Sequence, residues 1–239
     1  MQRVKGRIHE PIQLQQFYKH TVCRPLYLSM NFLGHFVIDH QEGKSLYNAG
    51  LLGPDLIRNA SKGQFKPNWK EGLHPEDWLK GGRQHLQRDA WFHQHPFFQL
   101  VYSENRDEVR EVFQSVQLPR FYFGLHVAIE MCLDKALLSL YPQAAQHMYR
   151  DLESSLPQIS EWLHEHKFPQ AIAGVERFIE SRYIEKYQAD SDLAYGLMRV
   201  YRQTGASQTD WSSEQLTMVT DVMGQLLSSN LKYLSKLGL

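Results

Sequence analysis

The stretch FGLHVAIEMCLDKALL, residues 123–138, decides the fold because its apolar residues recur at the three- and four-residue spacing of an α-helix. This helical pattern extends over residues 123–141, and the same spacing recurs in residues 107–117, 144–166, 168–186, 190–203 and 212–236. No series of strands with alternating polarity and paired turn residues accompanies these segments. The sequence therefore predicts an all-α domain.

This helix also carries three ionisable residues, His126, Glu130 and Asp134, at four-residue spacing. Residues four apart share one face of a helix, so the three side chains point the same way in an otherwise apolar segment. Buried ionisable groups without partners are costly, and either a metal ion or a network of buried hydrogen bonds and ion pairs would satisfy them. Both interpretations stay open from this row alone.

A second row of the same spacing lies in GGRQHLQRDAWFHQHPFF, residues 81–98, and consists of His85, Asp89 and His93. Imidazole and carboxylate together suit manganese, iron, zinc or magnesium, and the lack of thiolates argues against a closed structural zinc site. The alternative is a solvated polar helix face whose neighbouring aromatic residues turn to the core. Because facing helices can pool ligands, two such rows in one all-α chain favour a metal site.

Two earlier segments add candidate ligands. In MNFLGHFVIDH, residues 30–40, Asp39 follows His35 by one helical turn. In NAGLLGPDLI, residues 48–57, Asp55 follows Gly-Pro, where it is either a metal ligand or a helix cap. Residues 40–80 are rich in glycine and proline, which predicts long loops between the first helices, and loops on a rigid scaffold often carry function.

The amino-acid composition argues against several classes of protein. Lys plus Arg equals Asp plus Glu at 26 each, whereas a nucleic-acid-binding protein normally shows a basic excess, so we expect no nucleic-acid partner. The two cysteines, Cys23 and Cys132, form no CxxC pair, and no stretch approaches the roughly 20 apolar residues of a membrane helix. These features predict a cytoplasmic protein without a membrane segment. Motifs typical of serine hydrolases, P-loop kinases and zincins are absent from the sequence.

The chain is expected to have two parts. Residues 1–29 carry five Lys/Arg against one Glu and differ in composition from the rest. We therefore predict an N-terminal extension of unknown role over residues 1–29 and one helical domain over residues 30–239.

Four short motifs, in order, resemble the acyl carrier protein phosphodiesterases. They are MNFLGHF at 30–36, Asn-x-Gly-Leu-Leu-x-x-Asp at 48–55, the Gly-x-x-x-His-x-x-x-Asp pattern with its later His-Pro at 81–96, and HVAIEMCLDKALL at 126–138. The resemblance implies an HD-domain-like helical bundle that hydrolyses the phosphodiester between 4′-phosphopantetheine and a serine of acyl carrier protein. It also implies Mn²⁺ or Mg²⁺ as the cofactor and acyl carrier protein as the partner.

When the family's metal-site positions are transferred to this sequence, the resemblance implies that His35, Asp55, His85 and Asp89 belong to the metal site. The chain departs from the family where Leu86 replaces an arginine after the motif histidine and His93 replaces an aspartate. In the later helix, two carboxylate positions hold histidine and glutamate. All the changed positions of the metal site still carry groups that bind metals, and a nitrogen-richer site favours manganese, iron or zinc over magnesium.

The predicted site follows from these matches. The expected metal ligands are His35, Asp55, His85, Asp89, His93, His126 and Glu130. Asp55, His85 and Asp89 are the expected catalytic residues, and Arg58, Arg83 and Arg88 either face the phosphate of the substrate or are ordinary solvated charges. Three rival hypotheses remain: hydrolysis of another small phosphoester, a redox metal bundle, and a helical binding module without catalysis.

Overall fold

The structure is a computed structural model that describes residues 32–70, 75–203 and 211–238. These residues form ten α-helices: α1 (Phe32–Asp39), α2 (Ser45–Gly50), α3 (Gly53–Ala60), α4 (Glu76–Gln94), α5 (Pro96–Ser115), α6 (Phe121–Leu140), α7 (Ala144–Glu165), α8 (Ile172–Ser181), α9 (Asp190–Gln203) and α10 (Ser213–Tyr233). No strand occurs in the described ranges, so the all-α prediction is confirmed. The N-terminal extension predicted over residues 1–29 lies outside the described residues.

Some helix boundaries differ from the predicted ones. The segment predicted as one helix over residues 168–186 is instead α8 flanked by short 3₁₀ turns, Pro169–Ala171 and Tyr183–Lys186. It breaks at Arg182, whose left-handed backbone (φ 48°) cannot continue a right-handed helix. The loops expected over residues 40–80 are shorter than predicted, because the glycine-rich part folds into α2 and α3.

Helix α6 is the centre of the molecule. Every residue from Val127 to Leu137 is buried, and the helix packs against α1, α5, α9 and α10. A helix buried on all sides has no solvent-facing stripe, which explains why apolar residues surround the few ionisable side chains of this segment. None of the described helices combines the length and the apolar character that a membrane crossing requires.

The carboxylate of Asp134 joins α6 to the start of α1. Its two oxygens accept hydrogen bonds from the backbone N–H groups of Phe32, Leu33 and Gly34, each at 3.1 Å. The first N–H groups of a helix have no partner within the helix, so a buried carboxylate satisfies them. Asp134, the third member of the row on α6, is therefore used to cap α1, and this contact fixes the position of the histidine on α1.

Glycines allow α2 and α4 to approach closely. A Cβ atom on Gly81 would lie 2.1 Å from the Tyr47 carbonyl oxygen, and one on Gly50 would lie 2.3 Å from the Trp78 carbonyl oxygen. A Cβ on Gly82 would collide with the Trp69 ring at 2.0 Å. The absence of side chains at these positions seats α4 directly on α2 and sets the direction in which its histidines point.

Candidate metal centre

His85, Asp89 and His93 lie on α4 as predicted, but the two histidines face different helices. His85 is buried in the middle of the helix, Asp89 is half-buried, and His93 lies in the last turn. Eight residues of α-helix rise by about 12 Å, so the two histidines are too far apart to share one ion. Each end instead meets residues from other helices, and the described residues contain two groups able to hold a metal.

The first of these, the inner group, consists of His35 from α1, Asp55 from α3 and His85 from α4. All three residues are buried, and one ligand atom from each lies within 4.8 Å of the others. The His85 Nε2 atom is 3.4 Å from Asp55 Oδ2, and the two imidazole rings stack with centroids 3.9 Å apart. Two imidazoles and a carboxylate thus converge from three separate helices, as metal ligands do in helical bundles.

A backbone carbonyl orients the His85 ring. The Nδ1 atom lies 2.7 Å from the Leu51 carbonyl oxygen at the end of α2. A carbonyl oxygen only accepts, so Nδ1 carries the proton and Nε2 presents its lone pair to the inner group. Metal-binding histidines are typically held in this way through the nitrogen that does not bind the metal. The Nδ1 atom of His35 is buried without a hydrogen-bond partner in the described part of the chain, an unusual state for a buried polar atom.

Burial keeps both histidines of the inner group neutral. It lowers the pKa of His35 well below the ordinary value, assisted by the charge of His85. It also lowers the pKa of His85 to about 4. Metal binding requires neutral imidazole, so these shifts favour occupation of the inner group by a metal ion.

The second, the outer group, consists of His93 from α4 with His126 and Glu130 from α6. The two Nε2 atoms are 3.0 Å apart, and they lie 3.3 Å and 2.9 Å from the same oxygen, Oε1 of Glu130. Ligands at zinc–nitrogen distances of about 2.0–2.1 Å around a tetrahedral ion are separated by about 3.3 Å. The three atoms are therefore spaced almost as a single ion requires, although hydrogen bonds among them also satisfy them.

One side of the outer group is open to solvent. The side chains of His93 and His126 are 24% and 18% exposed, whereas Glu130 is 1% exposed. The charge and hydrogen bonds of the two histidines outweigh burial and lower the pKa of Glu130. Burial lowers the pKa of His93, but the hydrogen bond and charge of Glu130 and the charge of Asp89 raise it overall. Catalytic metal sites keep such an open position for water or substrate.

Asp89 lies between the two groups and belongs to neither. Its Oδ2 atom is 3.6 Å from Nδ1 of His93, a distance that orients the ring by charge rather than by a short hydrogen bond. Burial raises the pKa of this carboxyl group above its ordinary value. The negative charge of Glu130 opposes, but does not overcome, the lowering of the pKa of His35 and of His85 by burial, so the two groups interact electrostatically.

Two of the predicted phosphate-facing arginines are paired with protein groups. Arg88 donates two hydrogen bonds, of 2.8 Å and 2.6 Å, to the carboxylate of Asp39. Arg83 contacts Glu76 at 3.0 Å and the Trp69 carbonyl oxygen at 3.2 Å. Asp39, which the sequence put on one helix face with His35, therefore neutralises an arginine instead of joining the inner group.

The third arginine, Arg58, belongs to neither group and lines a separate cavity. The Leu51 carbonyl is the group that the sequence did not reveal. A backbone acceptor leaves no trace in residue type, so no signal in the sequence could have found it.

Comparison with protein-family models, with curated proteins and with solved structures finds no match to this chain. The functional assignment therefore depends on the residues of the two groups and on their geometry.

Proposed function

We propose that this protein is a metal-dependent phosphodiester hydrolase, similar to the acyl carrier protein phosphodiesterases, that removes 4′-phosphopantetheine from holo acyl carrier protein. One observation carries the proposal. His35, Asp55 and His85 converge from three helices into a buried group whose ligand atoms lie within 4.8 Å. The residues fit a divalent ion, because the histidines are neutral and the buried Nδ1 atom of His35 has no hydrogen bond from the described residues.

A divalent ion in such a site polarises phosphoryl oxygens and lowers the pKa of a bound water toward ~7. His35, Asp55 and His85 would hold the ion, and the Leu51 carbonyl keeps the His85 ring oriented. Asp89, whose pKa is raised by burial, would act as the general base for an attacking water. The two imidazoles favour manganese, iron or zinc over magnesium.

The geometry of the outer group favours a role together with the ion proposed for the inner group. Its three ligand atoms lie on α4 and α6, and its open side faces solvent. We infer that it holds a second cation or binds the phosphate-bearing substrate through one.

A second candidate function is a redox metal centre, because the outer group presents two histidines and one carboxylate beside an open position. That arrangement is typical of non-haem iron oxygenases. Protein that binds iron in preference to manganese and shows an O₂-sensitive absorbance band would favour this candidate over the hydrolase.

The test combines metal content with hydrolysis. The purified protein is loaded with Mn²⁺, its metal content is measured by mass spectrometry, and release of phosphopantetheine from holo acyl carrier protein is followed. We expect His85→Ala to lose the ion of the inner group and the activity together, whereas His164→Ala, at an exposed histidine on α7, keeps both.

The outcomes separate the hypotheses. Unchanged metal content in His85→Ala would contradict the inner group as a metal site. Turnover of bis(4-nitrophenyl) phosphate without any release of phosphopantetheine would retain the hydrolase and reject the carrier protein as substrate. No turnover of either compound by metal-loaded protein would reject the hydrolase itself.

A further inference from the structure

A cavity of about 820 Å³ lies between α3, α8 and α9, beside the 3₁₀ turn at Tyr183–Lys186. This volume falls in the range of small-molecule sites. None of the residues of the inner and outer groups lines it. We propose that this cavity is a binding site for an organic anion that joins a phosphate or similar multiply charged group to an apolar or aromatic part.

The charge of the lining points to an anion. Its basic residues are Arg58, Lys62, Arg177, Lys186, Arg199 and Arg202, and they face a single acidic residue, Asp192. That carboxylate accepts backbone N–H hydrogen bonds from Gln188 and Ala189, at 3.0 Å and 2.6 Å.

Three of these cations have no carboxylate partner within the described ranges: Arg177, Lys186 and Arg199 form no ion pair there. Positive charges that line one concavity repel each other and raise the local concentration of anions. A bound anion would relieve this repulsion.

The inner wall supplies the apolar surface and one unsatisfied donor. The rings of Phe178, Tyr183 and Tyr187 form a continuous series, with centroids 5.3 Å and 5.9 Å apart. Tyr187 is 4% exposed, and its hydroxyl has no hydrogen-bond partner among the described residues. A Cβ atom on Gly196, another lining residue, would lie 3.6 Å from this hydroxyl.

A buried hydroxyl without a partner destabilises a protein unless a ligand satisfies it. An oxygen of a bound anion is the acceptor that this position lacks. Because the hydroxyl is at the buried wall and the cations are at the rim, the ligand must enter the cavity. This geometry favours a small organic anion over the acidic surface of a protein.

The test uses phenylphosphonate, which carries an anionic group and a ring and is not hydrolysed. Its binding to metal-free protein is measured by isothermal titration calorimetry, so that the inner and outer groups play no part. We expect saturable one-to-one binding, and binding at least about tenfold weaker to the double variant Arg177→Gln/Arg199→Gln. Both arginines are exposed, so their replacement leaves the fold intact.

Tyr187→Phe keeps the ring and removes only the hydroxyl. We expect affinity to fall by about fivefold while the thermal midpoint of the free protein stays equal or rises, because an unsatisfied buried group is gone. Arg106→Gln, an exposed arginine paired with Asp107 on α5, is the matched control and should bind like the parent.

Three results would overturn the proposal. They are no saturable binding, equal affinity of the parent and the cavity variants, and the same loss of affinity in Arg106→Gln. Binding of an acidic protein that is abolished in the double variant, with no binding of phenylphosphonate, would assign the basic rim to a macromolecule instead. Because no metal is present, none of these results depends on the proposed hydrolase.

Discussion

Acidification of the metal-free protein should remove stability that the buried His85 provides at neutral pH. In the folded state its pKa is about 4, because burial disfavours the charged imidazole. In the unfolded chain a histidine has a pKa of about 6.5. As the pH falls between these two values, the unfolded state binds a proton that the folded state does not. The free energy of unfolding must therefore decrease with falling pH over this interval.

The size of the effect follows from the same two values. One unit of pKa difference corresponds to about 1.4 kcal/mol, and the full shift is approached only near the lower pKa. At about pH 5 the expected loss from His85 alone is about 2 kcal/mol, and at about pH 4 it is about 3 kcal/mol. At about pH 4 ordinary carboxylates are also protonated, so the contribution of His85 is easier to isolate at about pH 5.

The assay is urea unfolding of metal-free parent and of His85→Gln at about pH 8 and about pH 5. We expect the parent to lose about 2 kcal/mol more than the variant over this interval. The exposed His164, replaced by Gln, provides the control and should lose as much as the parent. His35 remains in both proteins, but its ring stacks on that of His85 at 3.9 Å, so the measured difference includes the coupling between the two histidines.

An equal or larger loss in His85→Gln would refute this reasoning. It would mean that His85 is charged in the folded protein and pairs with Asp55, whose Oδ2 atom lies 3.4 Å from Nε2. The inner group would then be an ion pair rather than a set of neutral imidazole ligands.

Three substitutions test the framework around the site. Asp134→Asn keeps one acceptor of the α1 cap but presents an amide donor to the backbone N–H groups, and should lower the unfolding free energy by about 1–3 kcal/mol in urea titrations. Gly81→Ala places a Cβ atom 2.1 Å from the Tyr47 carbonyl oxygen and should cost about 3 kcal/mol or more, whereas the exposed Lys80→Ala should change the midpoint little. Arg88→Lys keeps the charge but cannot make the paired contact to its aspartate, and should cost about 1 kcal/mol by thermal unfolding.

Much of the candidate site follows from local spacing. The repeat of four residues alone puts His85, Asp89 and His93 on one face of α4, and His126 and Glu130 on one face of α6. It does so because an α-helix turns once every 3.6 residues. The same periodicity predicts the all-α class, and Asp55 is found at the start of a short helix, as its Gly-Pro context indicates.

Local spacing does not say which residues meet across the structure. His93 joins His126, 33 residues away, rather than His85 on its own helix. Asp134 continues the row on α6 by sequence, yet it caps α1, about a hundred residues earlier in the chain. Nothing in the pattern distinguished these roles, because each depends on the packing of a second helix.

The sequence by itself therefore determined the all-α class, the helix faces that carry ionisable residues and the chemical types of the candidate ligands. Only the tertiary structure decided that these residues divide into an inner and an outer group, that Asp39 neutralises Arg88, and that a basic cavity forms beside α3. The physical reason is the separation along the chain over which each kind of interaction acts. Helical periodicity is set by neighbours within one turn, whereas partner choice is set by how closely the helices pack, as Gly50 and Gly81 permit between α2 and α4.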